Sequence, residues 1–452
     1  MTQTTLSTAK TDQLTELLIA GERAIELNPI NLPGAIAQYV HDTKEKANTW
    51  MQELAIPTRR DEDWRFTDLS PLFQHQFEAP PPLPVEKLFI EQFILPEAEN
   101  SRLVFINGVY SDRCSNLTGL PDGVFVGSIA QLPTKYHGKL SQYLAKQPGH
   151  QEFFTALNTI GLNDVAIIWV GKNQIIEQPI HLLFIASPHG QPMLSQRRCL
   201  VVAESGSSVS FIEHSVTSEF GCPDAIASHP YLNNTVTEIY VEENATVNHV
   251  RVQRDGGAAF NISKTAVSQR KDSRYTSHCI NLGAKLSRHN FHIYQNGAGT
   301  ETNLQGLTMI GHRQTADTHS AIILQHPHGV ANQLHKCIVD DYAHAIFNGQ
   351  VYVAQNAQLT EASQLNRNLL LSSKGRVDTK PQLEIIADNV KCSHGATVSQ
   401  LEDDEIFYLQ SRGIDASKGR NLLIDAFAAE ILQELPIHSI QQMLARCVSC
   451  RI

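Results

Sequence analysis

The stretch VKCSHGATVSQ, residues 390–400, sets Cys392 and His394 two positions apart beside a glycine. On a strand, side chains at i and i+2 share a face. A thiolate and an imidazole are soft or borderline ligands suited to iron or zinc, but two ligands do not close a site that wants four. Any metal here needs ligands from elsewhere. The same pair could be a nucleophile and its base, although parallel side chains on one strand face have no evident orienting acid. A third reading is structural, with two small residues filling a corner. The residues alone leave all three open.

Other residue types invite chemistry less directly. The chain has 20 histidines, nine of them between His278 and His344, interspersed with Asp and Cys. That enrichment suggests metal binding, yet no H-E-x-x-H and no paired C-x-x-C emerges from it. Strand histidines facing water are the simpler expectation. Cys447 and Cys450 form a lone C-x-x-C near the C-terminus, with no second pair to complete a metal site. In RRDEDWRFTDLSPL, residues 59–72, Trp64 stands among Asp61, Glu62, Asp63 and Arg65. It is either an aromatic anchor for a partner or a charged turn pinned by a buried ring. There is no P-loop, no G-x-S-x-G elbow and no dinucleotide G-x-G-x-x-G, so the chain does not hydrolyse ATP through a P-loop.

The elements that must position these residues differ along the chain. Of 452 residues, 42% are apolar and 18% charged, an ordinary folding composition. The formal charge of -10 and the lack of a long Lys/Arg run make nucleic acid and anionic membrane poor partners. The polar start MTQTTLSTAKTDQ has no secretory pattern, and no apolar run approaches membrane-spanning length. A soluble cytoplasmic chain is expected. Its eight scattered cysteines fit a reducing compartment without disulfides.

Residues 1–100 read as a helical region with a linker. From Gly34 to Leu54, Ile36, Tyr39, Val40, Ala47, Trp50, Met51 and Leu54 form one helical stripe, and Pro80, Pro81, Pro82 and Pro84 make an extended connector. Residues 101–400 are strand-rich, with hardly a helical period. Small-residue turns run into Val209, Val247, Val267, Leu286, Leu304, Ile322, Leu359, Val377 and Val398, at steps of 18 to 21 or about twice that. A period near 20 suits stacked β-coils, each burying its apolar edge on the next, with a β-sandwich as the competing architecture. At about 4.8 Å per coil, roughly a dozen coils make a rod on the order of 55 to 60 Å long. Residues 401–452 return to helices: EDDEIFYLQSRG with acids at its start, DASKGRNLLIDAFAAEILQEL with Asp415 as a cap, and IHSIQQMLARC after Pro436. Their faces could dock on the rod or on a partner.

At this point the residues carry a family resemblance. TKPQLEIIADNVKCSHGATVSQLEDDEIFYLQSRGI, residues 379–414, resembles the signature block of the SufD branch of the SufB/SufD family, and RRDEDWRFTDLSPL resembles its N-terminal counterpart. NLLLS at 368–372 and NLLIDAFAAEIL at 421–432 are similar to the family too. The resemblance spans the chain. It implies a mainly β fold, a right-handed parallel β-helix between N-terminal and C-terminal helical regions. It implies a non-catalytic scaffold of the Suf iron-sulfur cluster assembly complex, paired with SufB as a heterodimer near the C-terminal coils. The SufC ATPase would dock on the helices after Leu401, through residues such as Phe407, Tyr408, Arg412, Leu422 and Phe427. His394 is then the residue implicated in cluster assembly, opposite a SufB cysteine, with Cys392 less certain as a ligand. The iron or cluster would be transient and shared with SufB, with no metal site closed within this chain and no cofactor held stably alone. SufB carries E-H-E-A-T where Ser393, His394 and Gly395 stand, and a Cys-containing stretch where this chain has NRNLLLS, so this chain should not assemble a cluster by itself. A homodimer in isolation is a further possibility. The alternative from another class is a β-helix carbohydrate-active enzyme with His, Asp and Asn along an exposed groove.

Overall fold

The computed structural model describes residues 2–80, 90–218 and 229–450, with side chains between 14 and 448. Of the proline connector, Pro81, Pro82 and Pro84 lie outside the described residues. Helix α1 spans Thr2–Leu27 and α2 Gly34–Met51. The expected stripe is realised in α2, where Ile36, Val40, Ala47 and Met51 are buried along one side. Two short helices, α3 (Thr134–Leu140) and α4 (Phe153–Ile160), interrupt the region expected to be strand-rich. All eight residues of α4 are buried; Phe153, Phe154, Leu157 and Ile160 are spaced as one helical face opposite Thr155, Asn158 and Thr159, but the run covers only about two turns, too short to stand out in the sequence.

From Ala166 to Gln400 the chain winds as a parallel solenoid, alternating between two sheets. One sheet has ten strands and the other nine, and 16 of these strands, two per coil, make eight coils. Strands that neighbour in a sheet start 27 to 31 residues apart from Thr246 onward, at Thr246, Arg274, Glu301, Val330, Glu361 and Lys391. The coil is therefore longer than the expected period near 20, and eight coils make a rod of roughly 35 to 40 Å. The misreading has a physical source. Inward positions recur every second residue, so a small-to-apolar step occurs both at strand starts, as at Leu286, and late in strands, as at Val267.

One corner of the solenoid is a backbone ladder. Asn244, Asp272, Gly299, His328 and Leu359 have positive φ of 55°, 55°, 68°, 61° and 59°. Each N–H donates to a carbonyl one coil on: Lys271, Ala298, Pro327, Gln358 and Asn389, at 3.0, 2.9, 3.1, 3.0 and 2.7 Å. These left-handed residues turn the chain while keeping the corner amides paired. At Gly299 a Cβ would lie 2.3 Å from Asp272 Oδ1, so a side chain there would have to displace the Asp272 carboxylate.

Helices cover both outer faces. Leu17, Ala47, Met51, Phe154 and Leu157 pack on Leu194, Leu232, Phe260 and Leu286 of the nine-stranded sheet. At the C-terminus, α5 (Asp403–Ser411), α6 (Ala416–Leu432) and α7 (His438–Cys450) match the three expected helices, and the Asp415 side chain caps α6 by accepting from Lys418 N. Ile424, Ala428, Ile431, Ile440 and Leu444 fold back onto Ile212, Val250, Ile280, Leu307 and Ile338 of the ten-stranded sheet. No helix among the described residues is long and apolar enough to cross a membrane.

Candidate functional site at the open end of the solenoid

The last strand, Lys391–Gln400, pairs on one side only, with Glu361–Leu370, and ends the ten-stranded sheet. Its register sets Cys392 on Ala362, His394 on Gln364, Ala396 on Asn366 and Val398 on Asn368. Those four partners are buried, so Cys392 and His394 share the face that caps the solenoid interior. Lys391 N–H donates back to Thr360 O at 2.9 Å. By alternation the N–H and C=O groups of Cys392, His394, Ala396 and Val398 point to the open edge. The terminal strand thus offers an unpaired backbone ladder on the residues that carry the thiol and the imidazole.

The two side chains differ. Cys392 is half-buried against the interior core. Burial pushes its thiol pKa up, opposed in part by a hydrogen bond with the Ala362 backbone. His394 is exposed, and its ring has no hydrogen bond or ion pair among the described residues. Beneath it the interior is polar. Gln364 Nε2 donates to Gln333 Oε1 at 2.8 Å, and Gln333 Nε2 to Ser320 Oγ at 2.8 Å. Asn366 Oδ1 accepts from Asn368 and Thr379 at 2.6 and 2.8 Å. Gln364 Oε1, buried and without a hydrogen-bond partner, belongs to the ladder neighbour of His394, so a donor is wanted there. The first coils are lined instead by Ile168, Leu182, Phe184, Val201 and Phe211.

The remaining predicted residues fall in different places. Phe407 and Tyr408 on α5 and Leu422 on α6 are 69%, 58% and 49% exposed. The Arg412 guanidinium lies 5.4 Å from the Tyr408 ring centre. Phe427 is half-buried and serves the chain's own packing: Lys336 Nζ sits 4.4 Å from its ring centre and donates to its carbonyl at 2.9 Å. The nine histidines scatter. His289 and His335 are buried in the interior, His335 held neutral by burial at a pKa of about 4, while His292 and His319 face the other way, beneath the N-terminal segment. No group of three or more ligand residues that could hold a metal occurs among the described residues. Cys447 is buried in the α6–α7 core, and the Cys450 side chain lies outside the described residues.

Trp64 is fixed from both sides, 5.6 Å from Phe154 and 4.0 Å from the Arg288 guanidinium. Arg288 Nη1 also donates to Asp63 O and Asp317 Oδ2, each at 2.6 Å, and Thr67 donates to the same Asp317 oxygen. The segment is a pinned turn, but the ring that pins it is half-buried rather than buried. Neither the Arg288–Asp317 pin nor the amide ladder Gln333, Gln364, Asn366 was anticipated. The alternation Gln364, Asn366, Asn368 was visible, but such residues ordinarily mark an outward face.

Residues 184–427 match the SufBD core domain of the SUF system for FeS cluster assembly, and residues 31–182 the SufBD protein N-terminal region. The chain belongs to the SufBD family. An iron-sulfur cluster assembly SufBD family protein of Synechocystis sp. is 46% identical over 451 residues, covering 100% of both chains. Iron-sulfur cluster assembly protein SufD of Escherichia coli is 31% identical over 432 residues, covering 89% of this chain and 91% of the relative. The chloroplastic protein ABCI7 of Arabidopsis thaliana is 36% identical over 392 residues, covering 85% and 80%. The SufBD core match takes in the whole terminal strand and ends within α6.

Proposed function

We propose that this SufBD protein is a non-catalytic scaffold subunit of the Suf machinery, which pairs through the open end of its solenoid with SufB. The unpaired ladder from Cys392 to Val398 accepts backbone from the partner, as exposed sheet edges do in strand addition. Pairing there seals the interior and brings partner residues over His394. An imidazole with no hydrogen bond or ion pair among the described residues is free to bind iron, and the cluster, as cargo, is completed by ligands from SufB. Cys392 is the weaker candidate: metal binding needs the thiolate, which its half-buried setting disfavours. ATP hydrolysis belongs to SufC, which docks on the exposed aromatic face of α5 and α6 through Phe407, Tyr408, Arg412 and Leu422.

The observation that carries this reading is an exposed imidazole, without a hydrogen bond or ion pair among the described residues, on a terminal strand whose outer edge is unpaired. The test is reconstitution of the chain with SufB and SufC from His394→Ala protein. The complex should elute intact by gel filtration, while cluster absorbance per complex falls to background. An unchanged cluster yield would sink the assignment of His394.

A further inference from the structure

The arginines of the RRDEDWR loop are not used by the open-end reading. Arg59, Arg60 and Arg65 line a cavity of about 450 Å³ whose opposite wall is the last strand of the nine-stranded sheet, at Asp378 and Lys380. Lys380 is paired with Glu62 at 2.7 Å, and Asp378 with Arg376 at 2.7 Å and His344 at 2.6 Å. Among the described residues, Arg59, Arg60 and Arg65 lie in no carboxylate ion pair, and Asp63 is the one lining acid not already engaged by a cation. The lining thus holds four cations, Arg59, Arg60, Arg65 and Lys380, against three acids, and three of the four are arginines in no ion pair among the described residues, in a chain whose net charge is -10.

The loop is also rigid. Asp61 closes it by accepting from Thr58 N and Oγ1 at 2.7 and 3.1 Å, and Arg59 Nε donates to Arg65 O at 3.3 Å. The Trp64, Arg288 and Asp317 pin fastens it to the sheet. Cations held in place by the fold lose little freedom when a ligand arrives. Glu62, whose side chain is 79% exposed, holds Lys380 in a surface pair that an incoming anion could replace at little cost.

We propose that this cavity binds a compact polyanion, a small molecule bearing two or more phosphate or carboxylate groups, through Arg59, Arg60, Arg65 and Lys380. Guanidinium forks suit both oxyanion types. The bound anion ties the N-terminal loop to the last coil, so it stabilises the folded chain by linkage.

The test is isothermal titration and thermal melting of the full chain with inorganic pyrophosphate and with citrate, at about 150 mM salt so that diffuse attraction is screened. Saturable binding at one site and a raised melting temperature are expected with at least one of the two, and comparing them distinguishes phosphate from carboxylate. The double variant Arg60→Ala, Arg65→Ala should bind roughly tenfold or more weakly. Both side chains are exposed, so its melting temperature without ligand should match the wild type. Arg274→Ala, which removes an arginine paired with Glu301 elsewhere, is the control and should bind as wild type. The proposal is overturned if neither anion binds saturably, if the double variant binds like wild type, or if Arg274→Ala weakens binding as much.

Discussion

The two ends of the solenoid are made of the same repeat and finished in opposite ways. At the first coil, all five residues of Ala166–Val170 are buried, and Trp169 stacks on Tyr136 at 4.6 Å with Tyr143 edge-on at 5.3 Å. Antiparallel strands close both sheets there, Val124–Ser128 on one and Val109–Tyr110 on the other. At the last coil, neither Arg376–Ile385 nor Lys391–Gln400 contains a buried residue, and Ile385, Ile386 and Val398 are 42%, 49% and 50% exposed. A stack of coils needs a cap at each end, and an uncapped end is a template for another chain. One end is therefore closed within the chain, and the other is left open.

The open end is itself partly guarded. Arg376 N–H donates inward to Ala343 O at 2.9 Å, so alternation turns position 381 to the free edge, where Pro381 has no N–H to offer. Lys380 and Lys391 add charge to the two terminal strands. The Cys392 to Val398 edge keeps all its donors. The difference points to selective pairing rather than general stickiness.

The comparison predicts unequal responses to substitution. Trp169→Ala at the closed end should cost about 3–5 kcal/mol in urea unfolding, the usual loss for a buried tryptophan. Val398→Ala at the open end should change the isolated chain by no more than about 0.5 kcal/mol, yet weaken SufB association. Equal losses at the two ends would refute the asymmetry.

Asp317→Asn, which breaks the loop pin, should cost about 3 kcal/mol. Burial alone would raise this carboxyl, but the Arg288 guanidinium and the ring of His319 beside it outweigh burial and hold its pKa down to about 2. Because the folded value is depressed, the stabilisation is full above the ordinary carboxylate range and fades as pH falls from about 4 towards 2. Urea midpoints between pH 5 and pH 3.5, read as conditions of about that range, should therefore fall less steeply in the variant.

Smaller effects discriminate among surface residues. Phe407→Asp with Leu422→Asp should leave stability within about 0.5 kcal/mol while SufC is lost from co-purification. Retained SufC would move its docking surface elsewhere. Cys392→Ala should lower cluster yield less than His394→Ala, and the reverse order would make the thiol the principal ligand.

How much of this was legible depends on whether a residue's surroundings are ordinary. Helices α2, α5, α6 and α7 have a wet face or clear end signals, and their periodicity showed. Helix α4 spaces Phe153, Phe154, Leu157 and Ile160 on one helical face, but over only eight residues, too short a run to stand out among strands. Parallel strands buried on both faces announce β structure but blur its period, which is why the coil length was read as about two thirds of its real value. Cys392 and His394 were legible because their spacing survives folding unchanged. Gln364, Asn366 and Asn368 were not, since an amide ladder inside a solenoid reverses the usual sense of polar alternation. Arg288 and Asp317 meet only because consecutive strands of one sheet, 29 positions apart at Leu286 and Thr315, stack in register.

The central claim is that the terminal strand is the partner-binding edge. Hydrogen exchange on the chain alone and in complex with SufB tests it directly. The account predicts fast exchange at the amides of Cys392, His394, Ala396 and Val398 in the free chain and strong protection in the complex, with Ala166–Val170 unchanged. Protection that appears elsewhere while these four amides still exchange freely would contradict it.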